Sequence, residues 1–364
     1  MNKIFLLYLF VFFLSFSVFS QTNDSTQLNT IESQFSDSIA LINEQNEHLK
    51  ASRDAYNAGL LLLEAENYID AVNYFTNAIT IDSIFSKAYL SRAKCYEGSD
   101  YELASADYLK AFELDSSDLS PLYSLAALQF QLDKELAKQT YATIISLNDA
   151  EYKAFSQLGV IAFLAQDYQE SEQLFTQSLA INTNPYTLND RGSCYRKLEQ
   201  FDIAIQDYLA AIALNTDLAF VYSNLASIYA KRGDTEKALN YYDLAIKKDE
   251  NYALAYNNKA SLLLENKEYE KANSSIEKAL VANAKYAPAF NNKGVLNHQY
   301  KKYTEAITDF DKAILLDNNY AKAYLNRGIS KQMTRDEDGA CSDWSKAKEL
   351  GIMMAEKYLD NDCK

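Results

Sequence analysis

The feature that most restricts what this chain can fold into is an internal period of 33 to 34 residues, because a repeat of that length sets the architecture before any segment is read alone. With units starting at Ser52, Ser86, Leu119, Tyr152, Pro185, Ala219, Ala253, Ala287 and Ala321, the eighth residue is always glycine or alanine: Gly59, Ala93, Ala126, Gly159, Gly192, Ala226, Ala260, Gly294 and Gly328. In the second half of each unit a small residue (Ala71, Ala104, Ala137, Ser171, Ala204, Ala238, Ala272, Ala306 or Ala340) precedes a bulky one by four places. The bulky residues are Phe75, Tyr108, Tyr141, Phe175, Tyr208, Tyr242, Ile276, Phe310 and Trp344. Small side chains let two helix axes approach, and the large one a turn later fills the space between neighbours, so the pattern encodes a pair of packed antiparallel helices. One such pair cannot bury its own apolar face; stacked pairs can, with stability a sum of unit and neighbour terms. Pro121, Pro185 and Pro288 all fall in the first turn of a unit's first helix, where the missing N–H costs nothing.

Segments such as AFNNKGVLNHQYKKYTEAITDFDKAILLDNNY resemble tetratricopeptide repeats, and the resemblance covers residues 52 to about 350 in nine tandem registers. It implies an all-α, right-handed α-solenoid of helix-turn-helix units over 52–85, 86–118, 119–151, 152–184, 185–218, 219–252, 253–286, 287–320 and 321–351, with a capping helix at 352–364. The proline usual near the end of such a repeat is replaced by residues such as Ser83, Asp149, Thr216 and Asn318. The units over 119–184 fit the pattern least well, so local irregularity is expected there.

Residues 1–20 read as a secretory signal: Lys3, an apolar run from Ile4 to Phe19, then Val18 and Ser20 at the positions a signal peptidase reads. That run of sixteen residues falls short of the roughly twenty a membrane-spanning helix needs. Cleavage after Ser20 is expected, giving an exported chain, periplasmic or secreted, without stable membrane insertion. Residues 21–51 are polar, but Ile31, Phe35, Ile39, Ile42 and Leu49 recur at helical spacing, which predicts a flexible leader followed by an amphipathic helix ahead of the first unit. The formal charge of −15 argues against nucleic acid, whose phosphates are bound chiefly by lysine and arginine clusters.

Catalysis lacks its ingredients. The two histidines, His48 and His298, lie far apart along the repeat array, so no nucleophile–base or metal-binding pair is available, and no glycine-rich phosphate loop occurs. Asp336, Glu337 and Asp338 precede a helix, where acids favour the positive end of its dipole, and lack the alternating spacing of a calcium loop. No cofactor or metal is implied. Of four cysteines, Cys95 and Cys194 occupy the same place in their units and read as small core residues. Cys341 and Cys363 lie either side of the turn at Gly351; if the last helix folds back, the two sulfurs meet at one level and a disulfide would pin it in an oxidising compartment. This ending also looks like that of secreted bacterial proteins with these repeats.

In this family the first helices line the concave groove, and the resemblance implies inward residues at the second, fifth, sixth, ninth, twelfth and thirteenth places. Basic residues there (Arg53, Lys87, Lys94, Lys153, Arg196, Lys197, Lys231, Lys322) outnumber acidic ones (Glu64, Glu97, Asp190, Glu265). Such a groove in an acidic protein favours a partner with exposed carboxylates. The sixth place ends in Asn224, Asn258, Asn292 and Asn326, with Asn57 at the same place in the first unit. This row looks similar to the asparagine ladders with which some peptide-binding superhelices grip a target's backbone, since an amide offers both donor and acceptor. The expected function is a non-enzymatic protein- or peptide-binding scaffold of the bacterial cell envelope. The alternative is a structural spacer that binds through its ends or convex face.

Overall fold

A computed structural model of the chain describes residues 25–363, with side chains from residue 33. The signal sequence expected over 1–20 lies outside the described residues. All the regular structure described is α-helix, arranged as successive hairpins. Two compact units divide at Ile144, inside the weakly patterned repeat that starts at Leu119.

In the first unit, one helix of 40 residues runs from Ser25 to Glu64. The boundary drawn at residue 51 therefore does not interrupt the backbone: no proline stands in this stretch and its lone glycine is Gly59, so leader and first repeat helix share one set of i→i−4 bonds. Tyr68–Ile81 packs back on it, followed by the hairpin Ser86–Tyr96 and Tyr101–Leu114 and then Ser120–Leu132.

In the second unit, first helices begin at Tyr152, Pro185, Ala219, Ala253, Ala287 and Ala321, and their partners end at Ile181, Leu214, Lys248, Ala282, Leu316 and Glu349. Each hairpin turns through one left-handed residue at the same place: Gln166, Glu199, Gly233, Lys267, Lys301 and Arg335. Only Gly233 adopts that conformation without steric cost. A last helix, Met354–Asp362, packs Tyr358 against Trp344, and Cys341 and Cys363 are joined by a disulfide.

Within each unit the bulky residue lies over the eighth-place small one. A Cβ added at Gly59, Gly159, Gly294 or Gly328 would stand 2.5 to 2.7 Å from the ring of Phe75, Phe175, Phe310 or Trp344. Those four rings are at most 1% exposed. The sequence pattern is thus a steric one: the helices close to the distance that the missing side chain permits.

Buried ion pairs reinforce this packing. Arg92, Arg191 and Arg327, all at the seventh place, donate from Nε and Nη2 to both carboxylate oxygens of Asp107, Asp207 and Asp343. Their Nη1 atoms reach the preceding repeat, at Thr76, Thr176 and Asp311 respectively. Lys259, at the same place, pairs with Asp243 of the preceding repeat at 2.5 Å. One guanidinium therefore fastens a hairpin internally and to its neighbour, in the bidentate geometry that suits arginine.

Candidate functional site: a polar groove across the last three repeats

The groove is built on Ala253–Glu265, Ala287–Gln299 and Ala321–Met333. Ahead of each, an acidic or amide side chain closes a short turn: Asp249, Asn283 and Asp317 accept from the backbone N–H two residues on. These turns place Tyr252, Tyr286 and Tyr320 immediately before the helix. Burial pushes all three phenols above their usual range, Tyr320 to about 12, so they are neutral at physiological pH and remain hydrogen-bond donors.

Between the helices lies a cavity of about 560 Å3, lined by Asn258, Asn292, Asn326, Tyr286, Tyr320 and Lys322 among others. Three of the asparagines expected to form a ladder meet here. Most of them are not free. Asn292 Nδ2 donates to the Asn257 side-chain oxygen at 2.8 Å and to its backbone carbonyl at 3.2 Å. Asn326 Nδ2 donates to Asn291 Oδ1 and Asn224 Nδ2 to Asn189 Oδ1, each at 2.9 Å. A sixth-place asparagine thus reaches the fifth place of the preceding repeat, 35 residues back. Asn258 is the exception: its counterpart is Ser223, whose shorter side chain forms no such bond with it. Among the described residues Asn258 makes no hydrogen bond. The row is therefore chiefly an inter-repeat clasp, with spare acceptor capacity on Oδ1 and one open amide.

The other residues expected in the groove are dispersed. Asn224 lies one repeat before the cavity, and Asn57 is exposed on the first unit. Lys231 pairs with Glu199 at 2.8 Å and lies over the Phe201 ring, so its charge is already compensated. Lys197 is exposed over the ring of Tyr168. Arg196 is half-buried near the Tyr208 hydroxyl, with Nε lacking a partner among the described residues. Lys322 and Glu265 line the cavity, are exposed, and form no ion pair among the described residues. The pairing of fifth- with sixth-place asparagines and the tyrosines at the end of each unit were not picked out from sequence, where Asn257 and Asn291 read only as polar neighbours that leave room for a backbone. Their signal is a spacing of 35 residues between asparagines and of 34 between tyrosines.

His298 donates to or accepts from Ser330 Oγ at 2.9 Å, and burial lowers its pKa. Burial pushes the Cys95 and Cys194 thiols up to about 11, which leaves them un-ionised near neutral pH. Among the described residues no group of three His, Cys, Asp or Glu side chains is placed to hold a metal ion, and no helix is long and apolar enough to cross a membrane.

Family models for the tetratricopeptide repeat match residues 186–218, 219–252 and 257–324. The chain carries tetratricopeptide repeats. Similar proteins include human tetratricopeptide repeat protein 6, 26% identical over 164 residues, which covers 44% of this chain and 32% of that protein. The anaphase-promoting complex subunit cut9 of Schizosaccharomyces pombe is 26% identical over 181 residues, 47% of this chain and 27% of that one. The repeats thus match only about a third of these relatives' length or less. The Cut9–Hcn1 hetero-tetramer structure superposes with a TM-score of 0.58 at 13% identity, over 86% of this chain and 76% of that one. A tetratricopeptide repeat protein from Parabacteroides merdae gives 0.51 at 16% identity, over 76% and 97%. At such identities the likeness is one of fold.

Proposed function

We propose that this chain is a non-enzymatic scaffold that holds an extended segment of another protein in the groove of its last three repeats. The observation that carries this reading is the cavity between first helices, where Asn258 keeps its amide unsatisfied and Lys322 and Glu265 keep their charges unpaired. An open amide matches a peptide's N–H and C=O whatever the side chain, and a free lysine beside it favours a partner with a carboxylate nearby. Relatives named as a subunit of the anaphase-promoting complex and as an Hsp70–Hsp90 organizing protein are consistent with binding rather than catalysis. The apolar run at residues 4–19 supports export, and we place the working protein in a bacterial envelope, periplasmic or secreted, starting at Gln21.

The reading is tested by selecting peptides from a random display library on the mature chain. Peptides that bind the native protein should be released by the double change Asn258→Ala with Lys322→Glu, neither of which removes a hydrogen bond or ion pair among the described residues. Retention of every selected peptide means the groove is not the binding surface. A spacer that binds through its convex face has one observation in its favour: Val281 and Leu315 are 87% and 85% exposed at equivalent places on consecutive second helices.

A further inference from the structure

Deepening the groove reading, on which it rests, we propose that the segment held there is proline-rich and lies as a polyproline II helix across the three first helices, one turn per repeat. Two features of the cavity point to this. The first is spacing. Successive first helices are packed against each other through the asparagine clasps, which places their axes about 8–10 Å apart. Three residues of polyproline II rise about 9 Å, so a ligand in that conformation presents the same face to every repeat. A β-strand repeats about every 6.7 Å and falls out of step by the second helix.

The second feature is the tyrosine row. Tyr252, Tyr286 and Tyr320 stand once per repeat, each phenol close enough to the next to influence its titration, and Tyr286 and Tyr320 line the cavity wall. Flat rings with a neutral hydroxyl at the tip suit pyrrolidine rings and the carbonyls between them, which in polyproline II point outward and are bonded to nothing internal. Proline has no N–H to offer, so the groove need supply only donors to such a ligand. The tyrosine hydroxyls and the free Asn258 amide are donors, and of the clasped sixth-place asparagines Asn292 has given both amide protons and Asn326 one. Lys322 and Glu265, on first helices two repeats apart, fit an acid and a base flanking the prolines and so set the direction of the chain.

The test uses the mature chain and two synthetic peptides with the same glutamate and lysine at their ends. One has a core of about nine prolines, some 28 Å long as polyproline II; the other has an equally long alternating threonine–valine core. The proline peptide is expected to bind at least about tenfold tighter. Tyr286→Leu and Tyr320→Leu, which keep apolar bulk, should each weaken it about three- to tenfold, and Asn258→Ala by a similar factor, with helicity and melting checked for each variant. Equal or tighter binding of the threonine–valine peptide overturns the proposal, as does proline binding that ignores all three variants. Should the proline peptide fail to bind while library-selected peptides still depend on Asn258 and Lys322, the polyproline assignment falls and the groove reading stands. When no peptide of any kind depends on those residues, both fall.

Discussion

Replacing Asn292 by alanine separates a clasp from a free ladder. Asn292 and Asn257 are 8% and 7% exposed, and the Asn292 amide gives one proton to the Asn257 side-chain oxygen and one to its carbonyl. The carbonyl, inside the helix Ala253–Glu265, keeps its own helical partner after the substitution, whereas Oδ1 loses the donor it is given. A buried acceptor stripped of its partner costs about 1–3 kcal/mol, and the truncated side chain adds a small void. Asn258→Ala, one repeat earlier at the same place, removes no described hydrogen bond and should stay within about 0.5 kcal/mol. Repeat stability is a sum of local and neighbour terms, so the loss should concentrate at one interface. Native-state hydrogen exchange reads this directly: Asn292→Ala should deprotect amides in Ala253–Glu265 and Ala287–Gln299 while those before residue 219 keep their rates. Equal effects of the two substitutions, or none from Asn292→Ala, would show that the contact contributes nothing and that the row is free for ligand after all.

Other consequences are as direct. Gly328→Ala puts a Cβ 2.5 Å from the buried Trp344 Nε1, behind which Tyr358 stacks, so the ring has little room to retreat; overpacking should cost about 1–3 kcal/mol, and an unchanged melting curve would contradict that packing. Asp343→Ala takes the only ion-pair partner from Lys331, 3.0 Å away, and leaves Arg327 with Asp311 alone; it should cost about 1–3 kcal/mol by denaturant unfolding, more than loss of the exposed pair Lys346–Glu349. Reduction of Cys341–Cys363, separated by 22 residues, should weaken the cap by about 3 kcal/mol on a chain-entropy model and raise exchange in Met354–Asp362 alone; loss of the whole array on reduction would refute local stability. Intact mass of the exported chain should show Gln21 as its first residue, and retention of residues 1–20 in a membrane fraction would mean an anchor.

The repeats were legible because the small and large places are sterically coupled: Phe310 fills the space that a side chain at Gly294 would take. The left-handed turn residue was not legible, since glycine fills that place only at Gly233, and elsewhere Glu66, Gln166, Glu199, Lys267, Lys301 and Arg335 bear the strain. The asparagine row was visible but its use was not. Reading one place per unit finds Asn224, Asn258, Asn292 and Asn326; only pairing the sixth place with the fifth of the preceding unit shows that three of them are already engaged and why Ser223 leaves Asn258 open. Charge was misleading for a similar reason. Lys231 counts as groove charge by place, yet Glu199 of the preceding hairpin turn neutralises it. The seventh-place arginines, present in three of the nine units, carry no signal in a search for inward-facing residues because they point between repeats.

Whether a partner's segment occupies the groove of the last three repeats is read out by a hydrogen-exchange map of the mature chain with and without a library-selected peptide. Exchange should slow along Ala253–Glu265, Ala287–Gln299 and Ala321–Met333, centred on Asn258, Ser261 and Lys322, with no change in the intervening second helices. Protection centred instead on Tyr269–Ala282 and Tyr303–Leu316, around Val281 and Leu315, would contradict it and make the convex face the working surface.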